Sequence, residues 1–310
     1  MTFEEFLSEW RGSVPYIEAR TSGSTGEPKC IRLSKEFVTE SASRTNRFFS
    51  IASDSRLHSC VGADFIGGKM MAVRAEVAGC RFSYEPPTNR PLGAFSKSDR
   101  LDLVSVVPSQ MVHILDNIEE MPEVKVLLIG GSAIDPGLRV RIIDSELTAY
   151  ETYGMTETAS HVAVRIIDDV HDWFETLDGV RVRLDSRGCL VVCFSSGYEV
   201  VTNDLAEVAT DRRFKIKGRW DHVIITGGKK VNPYDVERKI SSVIDSPYMI
   251  TSRADMKWGR KVVLQIEGDD VGNKEELIEM LKKMLSPWEV PKTVEWVRCL
   301  PRTDNGKLKR

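Results

Sequence analysis

The sequence predicts an α/β protein: a large N-terminal α/β domain with an antiparallel β part, followed by a small C-terminal α+β domain. Three observations carry this. The apolar runs DLVSVVPS (102–109) and EVKVLLIGG (123–131) lie among helical patterns through residues 35–150. Continuous apolar strands separated by helices indicate a sheet covered on both faces. From about residue 178 the texture changes: Val180, Val182 and Leu184 alternate with Arg181 and Arg183. A turn at Asp185–Gly188 and the run CLVVCF then complete a hairpin. Finally, KGRWDH (217–222) leads into a segment with its own helix and strand signals.

The elements follow in order. MTFEEFLSEW is acidic and amphipathic, unlike a signal peptide. The end of the 123–131 run, Gly130-Gly131-Ser132-Ala133, is where a ligand sits in an open α/β sheet. In the last segment Asn232-Pro233 reads as a helix N-cap followed by Pro at the first helical position. KVVLQI (261–266) reads as a strand. Leu277, Ile278, Leu281, Met284 and Leu285 form one helical stripe that Pro287 ends.

A chain of 310 residues with 41% hydrophobic content can build one large domain and one small one. The net charge of −3 comes without a basic stripe, which argues against nucleic acid as a partner. No apolar run approaches the ~18 residues of a membrane span. The six cysteines form no C-x-x-C pair and no Cys/His cluster with zinc spacing, so they predict neither a metal nor a disulfide framework. Cys189 and Cys193 share a face of one strand and read as small core hydrophobes. A reduced, cytoplasmic protein is expected.

The richest stretch is ARTSGSTGEPKCIRLS (19–34). Thr21, Ser22, Gly23, Ser24, Thr25 and Gly26, closing on Lys29, offer hydroxyls, backbone N–H groups and an ammonium to an anion. Glycine lets the backbone approach closely. The spacing differs from the Walker A pattern. By itself the stretch reads either as a polyphosphate loop or as a surface turn.

Three further segments follow in order: YGMTET (153–158), GRWDHVIITGGKKVNP (218–233) and PRTDNGKLKR at the C-terminus. Together with the loop they resemble the adenylate-forming superfamily of acyl- and aryl-CoA synthetases, luciferases and peptide-synthetase adenylation domains. The resemblance covers roughly residues 15–310. It implies layered sheets, an AMP-binding domain over 1–217, and a mobile domain over 218–310 with a hinge at 218–222. It also implies ATP, Mg²⁺ and coenzyme A as cofactors and substrates.

The resemblance distributes roles as follows. Tyr153 and Gly154 flank the adenine, with Gly131, Ser132 and Ala133 lining its site. Thr156 binds a phosphate oxygen, and Glu157 ligates Mg²⁺, a cation that prefers oxygen. Asp204 in VVTNDLAEV binds the ribose hydroxyls, with Asn203 where relatives carry Gly; Arg219 adds a second ribose contact. Asp221 is the hinge. Gly227 and Gly228 belong to a loop used when CoA attacks. Lys307, with Pro301 and Gly306, matches the terminal motif whose lysine stabilises charge at the α-phosphate. Without the resemblance, YGMTET is a polar turn, Asp204 a turn residue, Gly227-Gly228 a lysine-bearing turn and Lys307 a solvated charge.

GADFIGGKMMAVRAEVAG (62–79) resembles the segment that carries a gating residue, which Phe65 matches. SHVAVR (160–165) resembles the o-succinylbenzoate–CoA ligases of menaquinone biosynthesis. An acid with an aromatic and an aliphatic carboxylate needs a cation or strong donors for the carboxylate that is not activated. Lys69 and His161 are the first candidates, then Arg74 and Arg165. Relatives have well over a hundred residues before the phosphate loop, and a naturally shortened form is expected here. The oligomeric state, with a homodimer among the options, stays open. So do two other functions: another aryl- or acyl-activating ligase, including one that loads a carrier protein, and a non-catalytic nucleotide-binding module.

Overall fold

The computed structural model describes residues 1–21, 29–269, 273–302 and 308. They form two units. One comprises Met1–Val182, Cys193–Val200 and Ala209–Phe214; the other comprises Arg183–Val192, Val201–Val208 and Lys215–Arg310.

The first unit opens with helix α1 (Phe3–Arg11) and the hairpin β1 (Tyr16–Arg20) and β2 (Cys30–Ser34). Then come α2 (Lys35–Phe48), β3 (Arg56–Ser59), α3 (Ile66–Ala78) and β4 (Arg81–Tyr84). A short β5 (Arg100–Leu101) precedes β6 (Leu103–Val106) and α4 (Pro108–Asp116). A short β7 (Glu123–Val124), β8 (Leu127–Ile129), α5 (Pro136–Asp144), β9 (Ala149–Met155), β10 (Ser160–Ile166) and β11 (Phe174–Thr176) follow. The main sheet of this unit runs β11-β10-β9-β8-β6-β3-β4. Strands β9, β8, β6, β3 and β4 are parallel, and β10 and β11 add on antiparallel. The α/β class is therefore observed, and the runs at 102–109 and 123–131 supply the fully buried strands β6 and β8.

Local chemistry sets the elements. Thr2 and Glu5 close a capping box on α1, and Asp135 caps α5 ahead of Pro136. Helix α3 has no side-chain cap, but Gly68 through Ala75 are all buried, as expected of a helix surrounded by protein. That burial takes Lys69 and Arg74 inside with it. Gly68 is required there, because a Cβ would meet the carbonyls of Gly62 and Val61 at 2.3 and 2.4 Å. Helix α2 buries a polar face instead: Ser41 Oγ donates to the Ala159 carbonyl and Asn46 Nδ2 to the Arg74 carbonyl.

Strands β12 (Val180–Leu184), β13 (Cys189–Phe194), β14 (Glu199–Thr210) and β15 (Arg213–Arg219) contribute residues to both units. The turn expected at Asp185–Gly188 is present, with Gly188 at φ +81° and its N–H donating to Asp185. Cys189 is buried as expected. Cys193 is only partly buried, with its thiol 3.2 Å from Glu199 Oε1, so it is not a plain core hydrophobe.

The second unit continues with β16 (Ile224–Thr226), β17 (Lys229–Val231), α6 (Pro233–Ile240), β18 (Tyr248–Asp255), β19 (Gly259–Glu267), α7 (Lys274–Met284) and β20 (Thr293–Val297). Its core joins Val236, Ile240, Ile250, Val262, Leu264, Leu281 and Val294. Asn232 caps α6 as the Asn-Pro signal predicts. In α7 the stripe holds except at Met284, which is exposed at the last helical position, while Leu285 just beyond the helix is buried in the core. No helix among the described residues is long and apolar enough to cross a membrane.

Candidate active site

The parallel register aligns the carboxyl ends of β3, β6, β8 and β9 along one edge of the main sheet. At β8 this edge carries Gly130–Ala133. Gly131 adopts φ +92°, a conformation that favours glycine, and a Cβ on Gly130 would lie 2.6 Å from Thr152 Oγ1. Thr152 itself donates to the Ile129 carbonyl. The glycine pair is thus what lets the loop lie against β9.

At β9 the same edge carries Tyr153–Thr158. Tyr153 is half-buried, and its ring meets Phe174 and Phe214 at centroid distances of 6.0 and 5.1 Å. Gly154 pairs with His161, where a Cβ would come within 2.2 Å of the Ser160 carbonyl oxygen and 2.5 Å of His161 Cα. Thr156 through Thr158 form a 3-10 turn. Thr158 holds it: its hydroxyl accepts from Met155 N at 2.9 Å and lies 2.7 Å from the Ser160 carbonyl. Ala159 and Ser160 then follow at φ +51° and +78°, two non-glycine residues in the left-handed region. Such strain persists only where the surroundings enforce it. Here Thr158 and the Ser41 bond to Ala159 do so. Sequence reading assigned no role to Ser41 or Thr158. The threonine was visible in the motif, but Ser41 had no local signal.

Thr156 Oγ1 donates to the Arg20 carbonyl at 3.4 Å. Arg20 ends β1, and the stretch that follows is closed at its base: Thr21 N–H donates to the Lys29 carbonyl, and Lys29 N–H to Thr21 Oγ1. The first two motifs therefore meet: the foot of the hydroxyl-rich stretch lies against the Thr156 turn. Ser22, Gly23, Ser24, Thr25 and Gly26 lie outside the described residues, as does Lys307. Glu157 is half-buried, and among the described residues no hydrogen bond or ion pair engages its carboxylate. An unengaged carboxylate is the kind of oxygen ligand that a hard cation such as Mg²⁺ prefers.

The pocket candidates separate. Lys69 Nζ donates to the Glu18 carbonyl at 2.7 Å and lies over the Phe6 ring, tying α3 to α1 and β1. Burial lowers its pKa from the ordinary lysine value, against opposing acids led by Glu9. Arg165 is committed to Glu151 and Asp172. His161 is buried: its Nε2 lies 3.0 Å from Thr45 Oγ1 and its Nδ1 3.4 Å from Arg74. Burial, and after it the Arg74 charge, drives its pKa well below the ordinary histidine value, so the ring is neutral. Arg74 is fully buried, and burial lowers its pKa to about 9. Its neighbours are Met71 Sδ, Ser160 Oγ and His161; Nε has no partner, and no carboxylate pairs with it among the described residues. Phe65 stands exposed at the start of α3.

In the second unit Asp204 lies within β14 rather than in a turn. Arg219 bonds Asp204 at 3.2 Å and grips Asp221 through Nε and a terminal nitrogen at 2.9 and 2.8 Å. Burial would raise the Asp221 carboxyl, but the Arg219 hydrogen bonds and charge outweigh it and hold the pKa below the usual range. Asn203, the departure from the expected Gly, accepts a hydrogen bond from Arg187, which also donates to Asp185 and the Thr202 carbonyl. Gly227 and Gly228, at φ +53° and +77°, make the two-residue turn of the β16–β17 hairpin. A Cβ on Gly227 would meet the Trp258 ring at 2.8 Å.

One cluster carries no signal in sequence spacing: His58, Cys60 and Glu85 converge at the ends of β3 and β4. Sequence spacing hides it because Glu85 arrives through strand pairing.

Residues 20–195 match the family described as AMP-binding enzyme. The 2-succinylbenzoate–CoA ligase of Staphylococcus aureus (strain MRSA252) is 24% identical over 321 residues, 94% of this chain; the chain spans 65% of that relative's length. Among solved structures, an acyl-CoA synthetase (AMP-forming)/AMP-acid ligase II-like protein from Dyadobacter fermentans DSM 18053 is 30% identical. It matches with a TM-score of 0.65 over 99% of this chain and 91% of its own. The o-succinylbenzoate coenzyme A synthetase of Bacillus subtilis, in complex with ATP and magnesium ion, shares the fold at 18% identity. Its TM-score is 0.77, over 94% of this chain and 68% of its own. The match over residues 20–195 embraces the hydroxyl-rich stretch, the Gly130–Ala133 loop and the Thr156 turn, and with it the chain belongs to the AMP-binding enzyme family.

Proposed function

We propose that this protein activates a carboxylic acid with ATP and transfers the acyl group to coenzyme A, and that the acid is an aromatic dicarboxylate of the o-succinylbenzoate type. The first half-reaction is attack of a carboxylate oxygen on the α-phosphorus. The bond from that phosphorus to the pyrophosphate breaks, leaving an acyl-adenylate. In the second, the CoA thiolate attacks the acyl carbon and AMP departs. Excluding water between the two steps preserves the mixed anhydride.

The observation that carries the reading is the closed foot of the 21–29 stretch against the Thr156 turn. In this reading the stretch from Thr21 to Lys29 cradles the phosphates, and Thr156 adds a hydroxyl. Gly131, Ser132, Ala133, Tyr153 and Gly154 border the adenine. Asp204 and Arg219 hold the ribose. Magnesium, when bound, adds positive charge at the departing pyrophosphate, and Glu157 is the residue to hold it. Asp221 is the hinge, and Gly227-Gly228 face the CoA step. Acid-dependent exchange of labelled pyrophosphate into ATP tests the first half-reaction across a panel of acids. Exchange that no acid stimulates would contradict it.

For the second carboxylate, Arg74 moves ahead of Lys69 and His161. A buried guanidinium without an acid partner is costly unless an anion arrives to pair with it. His161 then acts as a positioning group. With Nδ1 accepting from Arg74, its Nε2–H donates to Thr45, and the Thr45 hydroxyl passes to the Ser41 carbonyl at 3.3 Å. Arg74→Met should raise the KM for o-succinylbenzoate by about 10–150-fold, the worth of one charge-assisted hydrogen bond. The KM for ATP should stay within about twofold, since RT ln 2 is well under the cost of any lost hydrogen bond. Because the variant removes an unpaired buried charge at similar volume, its Tm should hold or rise. Steady-state kinetics and calorimetry read the two effects. A fallen Tm with an unchanged KM would make Arg74 a structural residue.

A further inference from the structure

The carboxyl ends of β3 and β4 carry a second cluster, at the far edge of the main sheet, which the adenylation chemistry leaves unused. His58 and Cys60 are two residues apart along β3 and its extension, so both side chains point to one face. The parallel β3–β4 register sets His58 opposite Ser83, and the Glu85 N–H continues the ladder to the Ser59 carbonyl. Glu85, two beyond Ser83, therefore reaches the same face. One ligand atom from each of His58, Cys60 and Glu85 lies within 4.8 Å of the others.

The donors are held in place from outside. Ser83 Oγ lies 2.9 Å from His58 Nδ1 and 3.4 Å from the Leu57 carbonyl. If the hydroxyl donates to Leu57, it accepts Nδ1–H, and Nε2 keeps its lone pair. That Nε2 is buried and has no hydrogen-bond partner; the nearest Glu85 oxygen is 3.9 Å away, too far for a hydrogen bond. Leu92 N–H donates to both Glu85 oxygens, at 2.9 and 3.1 Å. An oriented imidazole and an oriented carboxylate are the outer-shell arrangement of metal sites. His58 and Cys60 are each 1% exposed. A bare ion has a route past Glu85, whose side chain keeps 12% exposure.

We propose that His58 Nε2, Cys60 Sγ and the Glu85 carboxylate bind a divalent transition-metal ion, zinc in class, that staples the edge strand β4 to β3. The mixed nitrogen, sulfur and oxygen set is a zinc set, and a tetrahedral ion brings such atoms to roughly 3.3–3.8 Å from one another. The His58–Glu85 separation is already close to that. Binding releases the Cys60 thiol proton to solvent, and the resulting thiolate is balanced by the ion.

The test uses the full chain, stripped with a chelator and titrated with Zn²⁺ alone and then Co²⁺ alone. One zinc ion per chain is expected, with a raised Tm. The cobalt form should show tetrahedral d–d bands and a thiolate-to-cobalt charge-transfer band. Cys60→Ser should abolish the charge-transfer band, and Glu85→Gln should weaken zinc binding at least about 10-fold, the smallest loss that even outer-shell changes cause. Cys299→Ser, far along the chain and exposed, should keep both signals. A parent protein that stays folded yet binds no zinc overturns the proposal. A charge-transfer band that survives in Cys60→Ser overturns it equally. Should Cys60→Ser fail to fold, the parent cobalt spectrum and the Glu85→Gln titration decide, since a band without thiolate character or an unchanged affinity is again a refutation.

Discussion

Gly154→Ala is expected to lower the Tm by roughly 6–12 °C. The added Cβ would stand 2.2 Å from the Ser160 carbonyl oxygen, 2.5 Å from His161 Cα and 2.6 Å from the Ser160 carbonyl carbon. All three are backbone atoms, so no side chain can swing aside. Strand β9 or β10 must move, in a place where Ala159 and Ser160 already occupy the left-handed region. Overpacking costs about 1–3 kcal/mol, and backbone atoms on every side put this case at the upper end. For a unit of this size each kcal/mol is roughly 2–4 °C. Calorimetry measures it directly. Activity should fall as well, because Tyr153 and Thr156 flank the displaced residue. An unchanged Tm would mean that the two strands are not held at the spacing described.

Lys307→Ala should slow acyl-adenylate formation by on the order of 10²-fold or more, the cost of removing one charge that stabilises the transition state. Conversion of supplied acyl-adenylate to the CoA thioester should be nearly unaffected. The reason is chemical: negative charge builds on the α-phosphate only while the carboxylate attacks and pyrophosphate leaves. Single-turnover measurements of the two half-reactions separate them. Equal loss in both would remove Lys307 from this role and return it to the class of solvated terminal lysines.

The fold was legible where burial writes a simple pattern. Strands β6 and β8 stood out because both of their faces are covered, leaving an uninterrupted apolar run. The caps of α6 and the turn at Gly188 stood out because their backbone geometry demands particular residues. The polar face that α2 buries was not legible. Ser41, Thr45 and Asn46 are hydrophilic residues that become interior only because Ala159, β10 and α3 offer them partners.

The candidate site divides in the same way. The hydroxyl-rich stretch and YGMTET announce themselves by composition, since each gathers glycine and hydroxyl residues contiguously. The residues proposed for a second carboxylate do not. Lys69 and His161 were the natural choices, being a cation and a titratable ring near the right motifs. Burial reversed their order, drawing Lys69 to a backbone carbonyl and neutralising His161. Arg74, an unremarkable member of a helical segment, emerged as the cation without an acid. The Cys60 cluster was hidden for a related reason: a parallel strand pair, not sequence spacing, joins position 85 to positions 58 and 60.

Product analysis with purified protein, ATP, magnesium and CoA reads acid activation and its substrate together. The acids compared should be o-succinylbenzoate, benzoate and a fatty acid, each read by mass spectrometry of the CoA thioester with AMP and pyrophosphate quantified alongside. The expected result is o-succinylbenzoyl-CoA formed together with equimolar AMP and pyrophosphate, and little thioester from benzoate. Thioester from the fatty acid alone would contradict the assigned substrate. Absence of thioester, AMP and pyrophosphate with every acid, from protein shown to be folded, would contradict acid activation itself.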